Sequence, residues 1–313
     1  MQTNDTLPQI FDRALVRQRL TRAHAMGAES FLMTRVAEDL ADRLSAVKRE
    51  FALAVDLGSP TDELAQALSG HASLGRLLHL RSVPQGGRID VVADEEALPF
   101  APASLDLVLS VLSLQSVNDL PGVLSQIRQA LRPDGLFIGA LIGGSTLIEL
   151  RQCFASAESE MTGGLSPRVA PFTDVRDLGG LLQRAGFALP VTDVDRVTVR
   201  YASPFKLFAD LRRMGATNAL TERRRVPLRR AVLMRAVEHY LERFSDSDGR
   251  VRATFDIVWL SGWAPHESQQ KPLRPGSARM RLADALGTQE MTLHQGGGMS
   301  QEDNKGEGNA DGQ

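Results

Sequence analysis

Five short apolar runs, spaced along the first half of the chain, constrain its fold more than any other feature. They are residues 51–57 (FALAVDL), 77–80 (LLHL), 89–93 (IDVVA), 105–111 (LDLVLSV) and 136–142 (LFIGALI). Near-continuous apolar runs of this length belong to strands buried on both faces, the signature of a parallel sheet. Between them, residues 61–68 and 120–131 place apolar side chains at helical spacing. Strands alternating with helices imply an α/β fold with helices on both faces of the sheet. Such a sheet holds ligands beyond the carboxyl ends of its strands, near the point where strand order reverses.

The remaining segments extend this pattern. Residues 11–44 carry one helical stretch, with Leu15, Leu20, Phe31, Leu32, Val36, Leu40 and Leu44 near helical spacing. Arg132-Pro133-Asp134-Gly135 reads as a turn ahead of the fifth strand. Residues 146–160 and 175–185 read as helices, the second stopped by Gly186, and residues 191–201 as a strand. Residues 204–214 and 226–244 read as helices, and residues 253–263 as a final strand. The stretch 202–252 is too long for a simple crossover and is expected to be a helical insertion capping the carboxyl edge of the sheet. The expected division is an N-terminal helical segment (1–50), an α/β core (51–200), the insertion (201–250), a final strand and closing segment (251–283) and a tail (284–313). Residues 294–313 are Gly-rich and polar, with one Lys against four acids, and are expected to be disordered.

Composition excludes several classes. Lys and Arg total 36 against 38 Asp and Glu, a formal net charge of −2, which argues against a chain built to bind nucleic acid. No apolar run approaches the roughly 18 residues of a membrane span. The single cysteine, Cys153, excludes an intramolecular disulfide and a Cys-rich zinc site. Six histidines include no HExxH pair, and no metal site is expected. The first ten residues are neither a secretory signal nor an Arg-rich transit peptide, so a cytoplasmic protein, free or peripheral to a bacterial inner membrane, is expected.

Longer blocks carry a resemblance. They are FDR at residues 11–13, ADEEALPF at 93–100, SLDLVLSVLSLQSVNDLP at 104–121, LRPDGLFIGALIGGSTLIELR at 131–151 and SPRVAPFTDVRDLGGLLQRAGF at 166–187. Together with the DLG that ends the first strand, they resemble the complex I assembly factor 5 (arginine-hydroxylase) branch of the class I S-adenosylmethionine-dependent methyltransferases. The resemblance implies a Rossmann-like, seven-stranded, mostly parallel sheet with its last strand antiparallel. It implies S-adenosylmethionine at the carboxyl ends of the strands, held through Asp56, Gly58, Asp94 and Ser110. It also implies a protein substrate, an arginine on an iron–sulfur subunit of respiratory complex I being the precedent. It assigns no catalytic residue. More distant relatives are malonyl-carrier-protein O-methyltransferases.

The chain departs from that pattern at the cofactor loop. The family continues DLGCGxG, whereas here Asp56-Leu57-Gly58 is followed by Ser59-Pro60-Thr61-Asp62. Proline fixes φ near −65° and lacks an N–H, so this run reads as a helix start, with Ser59 as N-cap, Pro60 in the first turn and Asp62 completing a capping box. The acid that class I methyltransferases place after strand two, to accept from the ribose hydroxyls, is missing. Arg81 stands there, and residues 64–89 hold no Asp or Glu. A guanidinium offers only donors and cannot replace an acceptor. The family's His-Trp after strand four is Gln115-Ser116.

Three readings follow. The first is an S-adenosylmethionine-dependent protein-modifying enzyme. The second is a non-catalytic relative, a pseudoenzyme with a degenerate cofactor site, acting as an assembly or binding protein. The third is a malonyl-carrier-protein or small-molecule O-methyltransferase. Four further features admit two readings each. Gly143-Gly144-Ser145-Thr146 is a phosphate-type turn or a structural turn with Ser145 as N-cap. Arg212, Arg213, Arg223, Arg224, Arg225, Arg229 and Arg230 form a solvated face or a surface for an acidic partner. Trp259 and Trp263 belong to core or interface. His266 and Glu267, in the closing WAPHESQ, are an acid–base pair or surface residues.

Overall fold

The computed structural model describes residues 9–84, 88–172 and 174–269. Seven strands form one sheet: β1 (Phe51–Leu57), β2 (Leu74–Arg81), β3 (Val91–Val92), β4 (Leu105–Val111), β5 (Leu131–Ile142), β6 (Ala188–Tyr201) and β7 (Val251–Trp263). Their order is β3-β2-β1-β4-β5-β7-β6. The first five strands run parallel, and β7 lies antiparallel between β5 and β6. This is the expected class I arrangement. Strand order reverses between β1 and β4, which fixes where a ligand crevice opens.

The apolar runs are apolar because both faces are covered. Along β5, Leu136, Ile138 and Ala140 join the core beneath α2 (Phe31–Ser45), α5 (Ile148–Thr162) and α8 (Arg230–Phe244). Phe137 and Leu141 join the opposite core, with α4 (Leu120–Ala130) and α6 (Val175–Arg184). Period-2 alternation thus feeds two cores from one strand. Trp259 is buried in the first core, and Trp263 packs against it.

Several local expectations are corrected. The stretch 11–44 is two helices, α1 (Arg13–Ala25) and α2, because the chain turns at Gly27 with φ of 77°. Six residues of α2 are buried but only Ala23 of α1, so α1 lies on the surface of the fold. The Arg-Pro-Asp-Gly turn lies inside β5: Asp134 takes φ of 65° and the pairing with β4 shifts between Leu105 and Leu107, a bulge rather than a strand boundary. Ser59 does not cap the next helix, α3 (Glu63–Ala67), whose N-cap is Asp62. The Ser59 hydroxyl is buried and accepts the Val111 N–H at 3.2 Å. Ser145 is not the cap of α5 either, since that helix starts behind Leu147 at φ of 54°. Residues 204–244 carry α7 (Pro204–Arg213) and α8, with an irregular connection. The expected closing segment beyond residue 269 and the expected tail lie outside the described residues.

Candidate functional site

The chain leaves β1 through Gly58, which takes φ of 74° and donates its N–H to the Leu80 carbonyl at 2.9 Å. A Cβ at Gly58 would stand 2.9 Å from Glu95 Cγ, Glu95 Oε1 and Ser113 Oγ. Both conformation and space therefore demand glycine here. Beyond this turn, at the carboxyl ends of β1, β2, β4 and β5, lies a cavity of about 480 Å³, within the usual range of small-molecule sites. Gly58, Thr61, Ser113 and Gln115 form its polar floor on the sheet side. Leu20 of α1, Leu150 and Phe154 of α5, and Phe208 and Leu211 of α7 form an apolar wall.

Of the cofactor residues expected from sequence, only Gly58 lines this cavity. Asp56 is fully buried in β1 and does not line it. Its Oδ2 accepts from Arg81 Nη1 at 2.9 Å and lies 3.2 Å from His79 Nδ1. Ser110 is buried too, donating to the Leu57 carbonyl at 2.8 Å, with Ser113 Oγ at 2.9 Å. Asp94 accepts from Arg13 at 2.8 Å, Arg17 at 2.7 Å and the Glu96 N–H at 3.0 Å. Burial alone raises the Asp94 pKa, but the Glu96 N–H and the Arg13 and Arg17 guanidinium groups hold it below the usual carboxylate value. The four residues gather around the β1–β4 carboxyl ends, with three of them engaged within the protein.

Arg81 is the last residue of β2 and is turned inward. Besides Asp56, it donates to the Thr61 carbonyl at 3.2 Å, so it ties β1 and β2 to the loop that follows Gly58. None of residues 59–62 adopts positive φ, so this loop closes with Pro60 and without a further glycine. Ser82, the next residue, faces the cavity. The carboxylate at the β2 end is that of Asp62, which lies 3.6 Å from Arg81 Nη2 and does not line the cavity. A nucleoside cofactor fits the glycine turn and the volume, and the lining offers its ribose the hydroxyls of Thr61 and Ser82 and the carboxylate of Glu95, which Arg13 also engages.

Several lining groups were not singled out from sequence. Arg13 contacts both Glu95 and Asp94. Burial opposes its charge, yet the two carboxylates outweigh burial and raise its pKa. Arg13 at i and Arg17 at i+4, facing three consecutive acids in ADEEALPF, were the available signal. Glu29 lines the cavity and pairs with Arg213 at 2.9 Å. Gln115, noted for what it replaces, donates its Nε2 to the Leu112 carbonyl at 2.7 Å. That carbonyl needs a donor, so the amide orientation is set and Oε1 is left buried without a partner. Thr61 Oγ1, Thr217 Oγ1 and His24 Nε2 also line the cavity unpartnered. Burial, and then the Arg81 charge, lower the His24 pKa, so this imidazole is neutral at pH 7.

The remaining candidates lie elsewhere. His266 and Glu267 are exposed, and His266 pairs with Ser268 at 2.7 Å. Cys153 is buried, and burial pushes its thiol up to about 12. The Ser145 N–H donates to Asp256 at 3.1 Å, a structural use of that turn. Among the described residues no cluster of His, Cys, Asp or Glu could hold a metal ion, and no helix is long and apolar enough to cross a membrane.

Comparison with known proteins matches these features. The Methyltransferase domain family matches residues 35–139. Arginine-hydroxylase NDUFAF5, mitochondrial, of Danio rerio is 41% identical over 287 residues, spanning 88% of this chain and 89% of its own. The Homo sapiens protein of the same name is 40% identical, spanning 88% and 83%. Malonyl-[acyl-carrier protein] O-methyltransferase of Laribacter hongkongensis is 33% identical over 286 residues, spanning 85% and 94%. The expectation of a cytoplasmic protein is corrected by these relatives: the two NDUFAF5 proteins are mitochondrial by name.

Proposed function

We propose, for a chain that belongs to the arginine-hydroxylase NDUFAF5 family of the class I methyltransferase superfamily, that its cavity binds S-adenosylmethionine and receives an arginine of another protein. A subunit of respiratory complex I is the family's precedent for that protein. The observation that carries this reading is the cavity of about 480 Å³ over the Gly58 turn, at the strand-order reversal. Gly58 makes the turn that brings Glu95 and Ser113 against the floor of the cavity, and Thr61 and Ser82 offer hydroxyls to the ribose of the cofactor. The cofactor, when bound, supplies an electrophilic methyl group. An arginine stem suits the apolar wall at Leu150 and Phe208, since its methylenes bury while its head seeks acceptors. The unpartnered Gln115 Oε1 is such an acceptor. Neutral His24 is a base available to a guanidinium proton.

Arg81 favours a second reading, an assembly factor without catalysis. Its inward pairing with Asp56 stands where the superfamily presents a carboxylate to ribose. The two readings part in a mass-spectrometric test. Complex I subunits from cells with and without this protein are digested, and their arginine peptides compared. The methyl-transfer reading expects one arginine peptide to lose the mass of a methylene when the protein is deleted, and loss of an oxygen atom instead overturns that reading in favour of a hydroxylation that draws on an oxidant and a reductant other than this cofactor. Unchanged peptide masses alongside failed complex assembly support the second reading.

A further inference from the structure

We infer that Arg19, Arg22 and Arg223 form an anion site at the rim of the cavity, which receives Asp or Glu side chains flanking the target residue of the protein substrate. This rests on the reading above only in taking that substrate to be a protein.

The first observation is Arg19 itself. Its Nε and Nη1 are buried, and neither has a hydrogen-bond partner among the described residues. A guanidinium is always charged and offers five donors. Donors withdrawn from water without an acceptor are costly, and such groups are ordinarily satisfied within the protein. The acid that acts on Arg19, Asp12, is already engaged with Arg223 at 3.1 Å. Burial lowers the Arg19 pKa, and the charges of Arg223 and Arg22 lower it further, so three cations share one small region.

The connection between α7 and α8 supplies the second observation. Arg224, Arg225, Arg229 and Arg230 are exposed, and none forms an ion pair among the described residues. Arg229 is the N-cap of α8 and Arg230 its first residue, with no acid in the first turn. Cations there oppose the helix dipole. The chain therefore concentrates positive charge here beyond the acids that answer it, Arg225 acting on Asp12 at a distance and the others pairing with no acid among the described residues.

Position gives this charge a purpose. Leu20, Ala23 and His24, interleaved with Arg19 and Arg22 on α1, line the cavity. So do Thr217 and Leu228, on either side of Arg223 in sequence. Backbone hydrogen bonds join the start of α1 to this connection, Asp12 N–H to the Ala219 carbonyl and Thr221 N–H to the Ile10 carbonyl, each at 2.9 Å, so the arginines of both segments belong to one joined surface beside the cavity. A carboxylate matches the planar guanidinium fork bidentately, and Arg19 can turn about its flexible stem to meet one. The net charge of −2 favours an acidic polypeptide over nucleic acid or a lipid surface.

The test uses the full chain and two fluorescent peptides of equal length. Each has one central arginine, flanked in one by Glu and in the other by Gln. Anisotropy is measured at low and at physiological ionic strength. The Glu-flanked peptide is expected to bind about tenfold tighter at low salt, with the preference shrinking as salt rises. Arg19→Met and Arg22→Gln are each expected to reduce the preference severalfold. Arg19→Met, freed of a buried unpaired cation, is expected to melt above the wild type, which also shows that it folds. Equal binding of the two peptides overturns the inference, and so does a preference unchanged in both variants. Anionic vesicles or single-stranded RNA bound in an Arg19-dependent way overturn the assignment to carboxylates. Loss of the acidic preference with S-adenosylhomocysteine binding intact sinks this site alone. A retained preference without S-adenosylhomocysteine binding supports the site and removes only the cofactor reading.

Discussion

Arg81 donates to Asp56 across 2.9 Å with both side chains sealed from solvent, Arg81 at 2% exposure and Asp56 at 0%. The acid one residue before the end of β1 and the cation that ends β2 thus neutralise each other beneath the Gly58 turn. The position where the sequence resemblance leads one to expect a ribose-binding acid serves here as an internal tie.

Breaking that tie strands a buried charge. Arg81→Ala is expected to cost about 3–5 kcal/mol in urea unfolding, because Asp56 is left uncompensated. The double variant Arg81→Leu with Asp56→Asn is expected to recover most of the loss. An Arg81→Ala protein as stable as wild type contradicts the pairing.

Gly58→Ala places a side chain on a left-handed residue, at about 1–2 kcal/mol for the backbone alone. It also drives a methyl into Glu95 and Ser113. The variant is expected to lose nucleoside binding by more than tenfold while still unfolding cooperatively. Wild-type affinity in this variant removes the turn from the site.

Asp94 links α1 to the sheet through Arg13 and Arg17. Its folded pKa is depressed, so its contribution is complete above the unfolded value and is lost as pH falls through the folded one. Stability from this pairing is therefore flat at neutral pH and fades below about pH 4. Asp94→Asn is expected to lose on the order of 1 kcal/mol at pH 7 and to converge with wild type only as pH falls below the depressed folded pKa of Asp94. Parallel curves at all pH values refute this linkage.

Cys153 is expected to be inert. With its thiol pushed up to about 12 by burial, thiolate is scarce at pH 8. Ellman's reagent is expected to react only after denaturation. Rapid reaction in the native protein means that α5 opens readily.

Legibility in the sequence followed physical cause. β4 matched its apolar run from end to end, and β1 likewise, because strands buried on both faces admit little else. β2 begins earlier than its run, since Leu74-Gly75-Arg76 pairs with β1 while carrying no apolar signal. The turn residues of Arg132-Pro133-Asp134-Gly135 mark a bulge within β5, because one residue at positive φ serves a bulge and a turn alike. Both serines read as helix caps, Ser59 and Ser145, were drawn instead into longer-range hydrogen bonds with β4 and β7. That competition is invisible to local propensity.

The site was legible in position more than in detail. The strand-order reversal and Gly58 followed from the apolar pattern and the DLG fragment. Asp94 stood out among three acids, whereas Glu95 is the one that faces the cavity. Arg81 was read as an acceptor lost. Its gain as a partner for Asp56 depends on a side chain turning back across two strands. Arg19 carried no signal, because an arginine on a surface helix reads as solvated until its neighbours are known.

The most direct test of the account is calorimetric titration of the purified protein with S-adenosylhomocysteine, alongside Gly58→Ala. The account predicts saturable micromolar binding by wild type, a stabilisation of about 2.7 kcal/mol at 100 times the dissociation constant, and loss of both in the variant. A cooperatively folded wild type that binds nothing at millimolar ligand contradicts it.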